Sequence, residues 1–568
     1  MTLVLESKTT LLVKNNAKGK VLACKEGLSF WGGVDPKTSK IIDARHSKHT
    51  AVLAGKIVLM PTSRGSCSGS GVLLHLARNG QAPAALVFHE QEDILTLGAL
   101  IAERLFDCPI AVLRLAKPIY AELAKAESAE IRDQTLLFGD QSIALHQPNI
   151  RQLTLSDSDR QRLEGHQGRA QKIAMETLCF MAVGQGADRL IDVSRAHIDG
   201  CILAHDANLD FAEKMYKIGA KTCIPTTINA ISVDRENWRN QGVTPQFGAK
   251  ASRLADAYVN MGARPTFTCA PYLLEDRPTK NEAIGWSESN AVIYANSVLG
   301  ARTQKHPDYL DLFIAMTGRA PNAGAYLSKN RLPECEVQVE LPRTFDDAIW
   351  PMLGWLAGAK SPNTIPLITG LETASPTADD LKALCASFGT TSAASMLHVH
   401  GHTPESQLPL ASNALRVKIT VADLVQLWQD FNTGDDRVDL VAIGSPHASL
   451  SECRTFAHFL SGGTCHVGTQ TIVTIGRDIL AEAAEEGLLA RLNAVGVTVI
   501  QDLCWCSITE PIFPKSSLNL MTNSGKYSHY AKGLTGRDVR FGSLKECALA
   551  AQSGVAKLGL PKWLLPQT

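Results

Sequence analysis

Between an apolar, β-branched run at 55–61 and a helix-spaced segment at 71–80, the chain reads Ser63-Arg64-Gly65-Ser66-Cys67-Ser68-Gly69-Ser70-Gly71. Its glycines permit a tight backbone, and the free N–H groups of a helix start favour an anion. Ser66, Ser68 and Arg64 add donors suited to a carboxylate or a developing alkoxide. The loop lacks the GK[ST] of a P-loop. Gly65-x-Cys67-x-Gly69 is a formal echo of a nucleophile elbow with cysteine as nucleophile, but no local signature supplies the histidine it would need. Taken alone, a structural Gly/Ser turn explains the loop equally well.

Residues 285–303 crowd Glu288, Ser289, Asn290, Asn296, Ser297 and Arg302 into one segment. Asn and Ser are poor helix formers unless their side chains are used elsewhere, so the crowding marks a polar site or a buried network. Residues 521–530 hold Thr522, Asn523, Ser524, Lys526 and Tyr527 in a turn-rich stretch. Lys526 is a point charge suited to a carboxylate, although a solvated loop fits the composition too. Thr226, Thr227 and Asn229 form a comparable polar run, with His197 and Asp199 upstream.

Fourteen cysteines are scattered along the chain, without the paired CxxC spacing of a zinc site or the framework of a secreted domain. Most read as small buried apolar residues. Cys269, Cys453, Cys504 and Cys506 differ, lying beside polar or Pro/Gly-rich sequence. Their loops (267–278, 443–453 and 501–511) are each expected to follow a strand and to converge on the carboxyl edge of one sheet. Thiolates on separate loops are a common way to hold an iron–sulfur cluster, though spacing alone favours buried cysteines. Three histidines at 398–402 are a weak zinc signal.

The elements that must position these residues read as α/β. The run at 55–61 is a strand, 71–80 a helix capped by Gly80, 84–90 a strand and 93–105 a helix. A linker follows at about 145–165, with Ser158 and Gln161 as a capping box. At 568 residues the chain is too long for one core. Lys+Arg and Asp+Glu both count 56, so no basic excess points to nucleic acid. No run approaches the roughly 20 apolar residues of a membrane span, and the N-terminus lacks a leader pattern. The expectation is a cytoplasmic protein with no membrane or nucleic-acid partner.

SRGSCSGSG, PTTIN, FTCAPY, ESNAV, NSVLGAR, GSPHASLSEC, DLCWCSI and MTNSGKY, in this order over nearly the whole chain, resemble aconitase X, a branch of the aconitase superfamily. The resemblance implies a small swivelling β/α domain (1–140) fused through a linker (141–160) to a large, multi-lobed α/β/α aconitase-like region (161–568). It implies a lyase that uses an iron–sulfur cluster. The single-chain type is associated with dehydration of cis-3-hydroxy-L-proline to 1-pyrroline-2-carboxylate, the two-subunit type with mevalonate 5-phosphate; fusion favours the first. A non-catalytic iron–sulfur sensor is the alternative of another class. Where the archaeal pattern has Gly-Cys-Pro-His, this chain has Gly444-Ser445-Pro446-His447, which points to a [2Fe-2S] form. The resemblance implies Ser66 as base with Ser68 its alternative, and Lys526 as a further catalytic group. Arg64, Ser66, Glu288, Ser289, Asn290, Arg302, Asn523 and Ser524 are expected at the substrate. Cys269, Cys453 and Cys504 are expected on the metal, Cys506 competing with Cys453. A monomer acting on a small molecule is expected.

Overall fold

In the computed structural model, which describes residues 9–43 and 46–565, four α/β bodies follow one another. The stretch 1–8, part of the N-terminus read for a leader, lies outside the described residues. The first body is an eight-stranded mixed sheet running from Thr10–Val13 to Gln141–Ala144. Ile57–Leu59, Ala85–Phe88 and Ala111–Arg114 pair in parallel, and helices Gly69–Arg78 and Ile94–Phe106 cross between them. Those strands are buried on both faces, as continuous apolar runs in a parallel sheet should be.

The next helix is Asp157–Glu164, and its cap is not the expected Ser158 and Gln161. Ser156 accepts from the Asp159 N–H (3.1 Å) and Asp159 accepts from the Ser156 N–H (3.1 Å). An acidic third residue served this cap as well as Gln would have. Asp159 is also held by Arg319 and fully buried, which fixes the register two residues early.

Three further sheets are wholly parallel. The order in the second body is Thr226–Ile228, Ala196–Ile198, Gly285–Trp286. In the third it is His398–Val399, Pro366–Thr369, Cys335–Val339, Leu415–Ile419. In the fourth it is Val497–Gln501, Gln470–Ile475, Leu440–Ile443, Asn519–Thr522, Asp538–Phe541. From Leu440–Ile443 the chain winds outward one way, then returns on the other side with Asn519–Thr522. The crevice between those two strands is a topological switch point, where loops leaving the carboxyl ends splay apart and leave room for a ligand. Among the described residues no helix is long and apolar enough to cross a membrane.

Candidate active site

The switch point of the fourth body delivers residues 444–447 from the end of Leu440–Ile443 and residues 523–526 from the end of Asn519–Thr522. Gly444 makes the first turn possible: its φ is +101°, and a Cβ there would lie 2.2 Å from the Thr474 carbonyl oxygen. The chain then carries His447 inward, where its N–H donates to Cys269 Sγ (3.3 Å) and its ring meets Leu503 O (2.6 Å) and Thr268 Oγ1 (3.2 Å). Residues 502–507 leave the strand Val497–Gln501 with Asp502 clamped by Arg477 (2.6 and 2.7 Å). Ile231 N–H donates to Asp502 O (2.8 Å) and Trp505 Nε1 to Ile443 O (2.8 Å), stitching the loop to its neighbours.

These ties gather three thiols. Cys504 accepts hydrogen bonds from Cys269 and Cys506, and these hold it well below the usual thiol range despite full burial, with the Lys526 ammonium adding to the effect. Three soft donors gathered beside an ammonium group suit an iron–sulfur cluster. Among the described residues no three or more His, Cys, Asp or Glu side chains are already closed around a metal-sized point.

Cys453, expected as a ligand, is placed elsewhere. It lies on the helix Leu450–Phe459 in an apolar cluster with Val441, Phe456 and Leu460, and burial pushes its thiol up to about 12. The capping box of Ser449 and Glu452 sets the helix rotation and turns Cys453 into the core. The thiol loops do not share one sheet edge either: residues 502–507 belong to the fourth body, whereas Cys269 comes from the second, where 264–268 makes only an isolated bridge to Thr227.

Beside the thiols, Lys526 Nζ donates to Glu288 Oε1 (2.8 Å). Burial would raise the Glu288 carboxyl, but Lys526 outweighs it and holds the group below its ordinary value. Asn229 Nδ2 donates to Glu288 Oε2 (3.1 Å) and to Asp199, and Asn290 Nδ2 to Cys269 O (3.1 Å). Lys526 is on no solvated loop: Ser524 caps the helix Gly525–Thr535, accepting from Tyr527 N–H (3.0 Å), and donates to Ser445 O. Ser524 is therefore engaged in positioning Lys526. Asn523, half-buried, sits just beyond the strand end.

The Gly/Ser loop of the first body closes over this ground. Gly65 has φ +86°, and a Cβ would meet Ser29 Oγ at 2.4 Å. Lys305 Nζ donates to Gly65 O (3.2 Å), and Cys67 Sγ donates to Ser287 O (3.2 Å) and lies 3.7 Å from Ser289 Oγ. Ser66 and Ser68 hydroxyls are 3.3 Å apart. Ser68 is the N-cap of Gly69–Arg78, yet its side chain caps nothing. Cys67 is fully buried and its thiol is pushed far up by that burial, the opposite of an activated nucleophile. Arg64 stands at the rim, 3.6 Å from Asp43.

The crowded segment 285–303 divides. Glu288, Ser289 and Asn290 reach the site, while Asn296 and Ser297 satisfy backbone at Thr303, Ser395 and Leu397. Arg302 is not brought to the site; it donates to Tyr326 O (3.0 Å) and pairs with Asn281. Nor do the histidines near 400 form a site: His398 meets Arg331 O, His402 meets Leu371 O, and His400 pairs with Glu372. Sequence reading missed Lys305, Asp308 and Tyr530. Tyr530 lies within electrostatic reach of Lys526, Cys506, Glu288 and Cys67, so it borders both halves of the site. A sequence signal existed for the first two, Lys-His-Pro-Asp-Tyr-Leu-Asp at 305–311.

The segments match, in order, the aconitase X swivel domain (6–138), first domain (152–329), second domain (333–429) and third domain (438–553). The chain belongs to the aconitase X family. A cis-3-hydroxy-L-proline dehydratase of Hypocrea jecorina is 42% identical, over 98% of this chain and 97% of its own. A protein of the same description from Pseudomonas aeruginosa is 44% identical over 97% of each. The holo form of an aconitase X from Thermococcus kodakaraensis superposes with a TM-score of 0.65 at 29% identity, covering 70% of this chain and all of that one. The fold is that of aconitase X, an N-terminal swivel domain on larger α/β domains.

Proposed function

We propose that this aconitase X member is a hydro-lyase that removes water from cis-3-hydroxy-L-proline, giving an enamine that tautomerises to 1-pyrroline-2-carboxylate. The observation that carries the reading is the serine loop of the swivel domain packed over the Glu288–Lys526 pair in a single chain. Two dehydratases of that description match the chain end to end.

The substrate's carboxylate and hydroxyl share one ring face, so the C2 hydrogen lies opposite the leaving hydroxyl and anti elimination is open. A base must take a weakly acidic C–H, and donors must hold the carboxylate as it becomes an enediolate. Ser66 and Ser68 supply the base at the N-terminal end of Gly69–Arg78, where free N–H groups favour negative charge. Lys526, held charged by Glu288 and the thiols, faces the carboxylate. Ser289 and Asn290 line the same side. Cys269, Cys504 and Cys506 would hold the iron–sulfur cluster. The chemistry it supplies when bound is Lewis acidity toward the hydroxyl. With Ser445 standing where a fourth thiol would be, its hydroxyl buried without a partner, we assign the [2Fe-2S] form.

The same geometry speaks against a phosphorylated mevalonate. Lys526 is paired with Glu288, Lys305 with Gly65 O and Arg64 with Asp43, so among the described residues of the site no cluster of uncommitted cations remains for a phosphate. Every group named comes from one chain, so a monomer suffices. All fourteen cysteines are free thiols, as a reducing cytoplasm would keep them. Anaerobically purified protein should consume cis-3-hydroxy-L-proline and leave 5-phosphomevalonate untouched. Turnover of the phosphate ester with none of any 3-hydroxyproline isomer would overturn the assignment.

A further inference from the structure

Three carboxylates meet beneath the serine loop, and the mechanism above uses none of them. Asp199, at the end of Ala196–Ile198, and Asp308 and Asp311, on 308–311, are each 6% exposed or less. Asp311 is satisfied by backbone: it accepts from the Asp199 N–H (2.7 Å) and the Leu312 N–H (2.7 Å). Asp199 accepts from Asn229, which continues to Glu288. Asp308 is different. Its carboxyl lies beside the Ser68 hydroxyl and the Asp199 carboxyl, while its Oδ1 is buried without a partner. Its backbone N–H, 3.5 Å from Cys67 O, docks the residue against the loop. Two carboxyls this close in a dry place cannot both be ionised, so the pair shares a proton.

We propose that Asp308, backed by Asp199, is the positioning residue that accepts the Ser68 hydroxyl proton and so makes Ser68, rather than Ser66, the base. The inference rests on the lyase reading above. A free serine alkoxide is out of reach in water, because the hydroxyl is so weak an acid; a carboxylate within hydrogen-bonding reach removes the need for one. As Ser68 Oγ takes the C2 proton, its own proton passes to Asp308. The C2–H bond breaks, its electron pair enters the enediolate, and Ser68 ends neutral. The carboxyl pair ends with one more proton, which returns to the expelled hydroxide to complete the product water. The uncapped N-cap geometry of Ser68 fits this use, since its hydroxyl is left to face Asp308.

The groups facing Asp308 are Asp199, Asp311, Glu288, Tyr309, Tyr258, Cys201, Cys67 and Ser68. Burial first, then the charge of Asp311, raises Asp308 to about 7. Because the pair must have room for a proton, kcat should rise with pH through that region and level off above it.

The test compares Asp308→Asn with Asp311→Asn in anaerobically purified full-length protein of checked iron content. Elimination and solvent-deuterium exchange at C2 of cis-3-hydroxy-L-proline are followed from about pH 5.5 to 9. Exchange needs proton abstraction but not departure of the hydroxyl. The expected result for Asp308→Asn is loss of exchange by the roughly 10²-fold or more that a positioned base contributes, with the acid limb of the kcat profile gone. Ser68→Ala should do the same, Asp308→Glu should restore part of the rate, and Asp311→Asn should keep the limb but shift it to lower pH, because the charge that helps raise Asp308 is gone. If Asp308→Asn and Asp311→Asn lose rate alike with the limb unchanged, the role is structural and the proposal fails while the dehydratase assignment stands. If Ser66→Ala abolishes exchange and Ser68→Ala does not, the relay is wrong. If wild type neither exchanges nor eliminates, the lyase reading itself is lost.

Discussion

Two thiols with similar sequence surroundings, Cys453 buried and Cys506 half-buried, separate on their company. Cys506 hydrogen bonds to Cys504 in a polar set that includes Lys526, whereas Cys453 is packed into an apolar cluster with Val441, Phe456 and Leu460. Cys506→Ser should therefore lower bound iron and bleach the visible absorption without moving the unfolding midpoint far. Cys453→Ser should leave iron in place and cost stability, since a hydroxyl without a partner enters an apolar cluster at about 1–3 kcal/mol. Iron analysis and thermal unfolding of both variants check this, and the reverse pattern would return Cys453 to the metal. The sequence could flag both residues because both lie near loop-forming sequence. It could not rank them, because the choice depends on which face of the helix Leu450–Phe459 Cys453 occupies.

The elements matter here through their ends. Four of the site's segments leave the carboxyl end of a strand or the start of a helix, and each is fixed by one local device: Gly65, Gly444, the Ser524 cap, and Asp502 under Arg477. Gly444 is the most exacting, since Ala there combines a left-handed φ, costing about 1–2 kcal/mol, with a Cβ against the Thr474 carbonyl. Gly444→Ala should move the strand end, pull His447 N–H from Cys269, and reduce both bound iron and thermal stability. Full iron content at unchanged stability would show that the turn does not position the thiol. Strand and helix cores such as 57–59, 94–106 and 440–443 were legible because apolar runs and helical spacing are local properties. The Ser156 cap and the helix Gly525–Thr535 were misread. A cap takes Asp or Glu as readily as Gln, and a polar helix buried by its neighbours carries no apolar stripe to announce it.

At the scale of the molecule, Cys67 is completely covered beneath the loop, so a swivel domain that opens to admit substrate would also uncover this thiol. The rate of Cys67 alkylation should therefore report opening. Pyrrole-2-carboxylate, a flat analogue of the product, should slow it by about tenfold or more at saturating concentration. Mass-spectrometric mapping of the labelled peptide checks this, and labelling indifferent to the analogue would mean that the cleft is not where it binds. The sequence by itself determined the α/β class, the order of the segments, the family resemblance and the residue types on offer: hydroxyls and glycines in one loop, thiols in others, one lysine after a strand. Each of these follows from local spacing or from motif order along the chain. Only the tertiary structure decided that Cys506 joins Cys269 and Cys504, that Glu288 pairs with Lys526, that Arg302 serves the scaffold, and that Asp308 stands under Ser68. Most of those decisions depend on contacts between residues far apart in the chain, such as Cys269 with His447, 178 positions apart, and Gly65 with Lys305, 240 apart, while Arg302 is taken by Tyr326 and Asn281, 24 and 21 positions away. Packing between the bodies, whose largest apolar core is shared by the first, second and fourth, sets them, and local spacing along the chain carries no record of it.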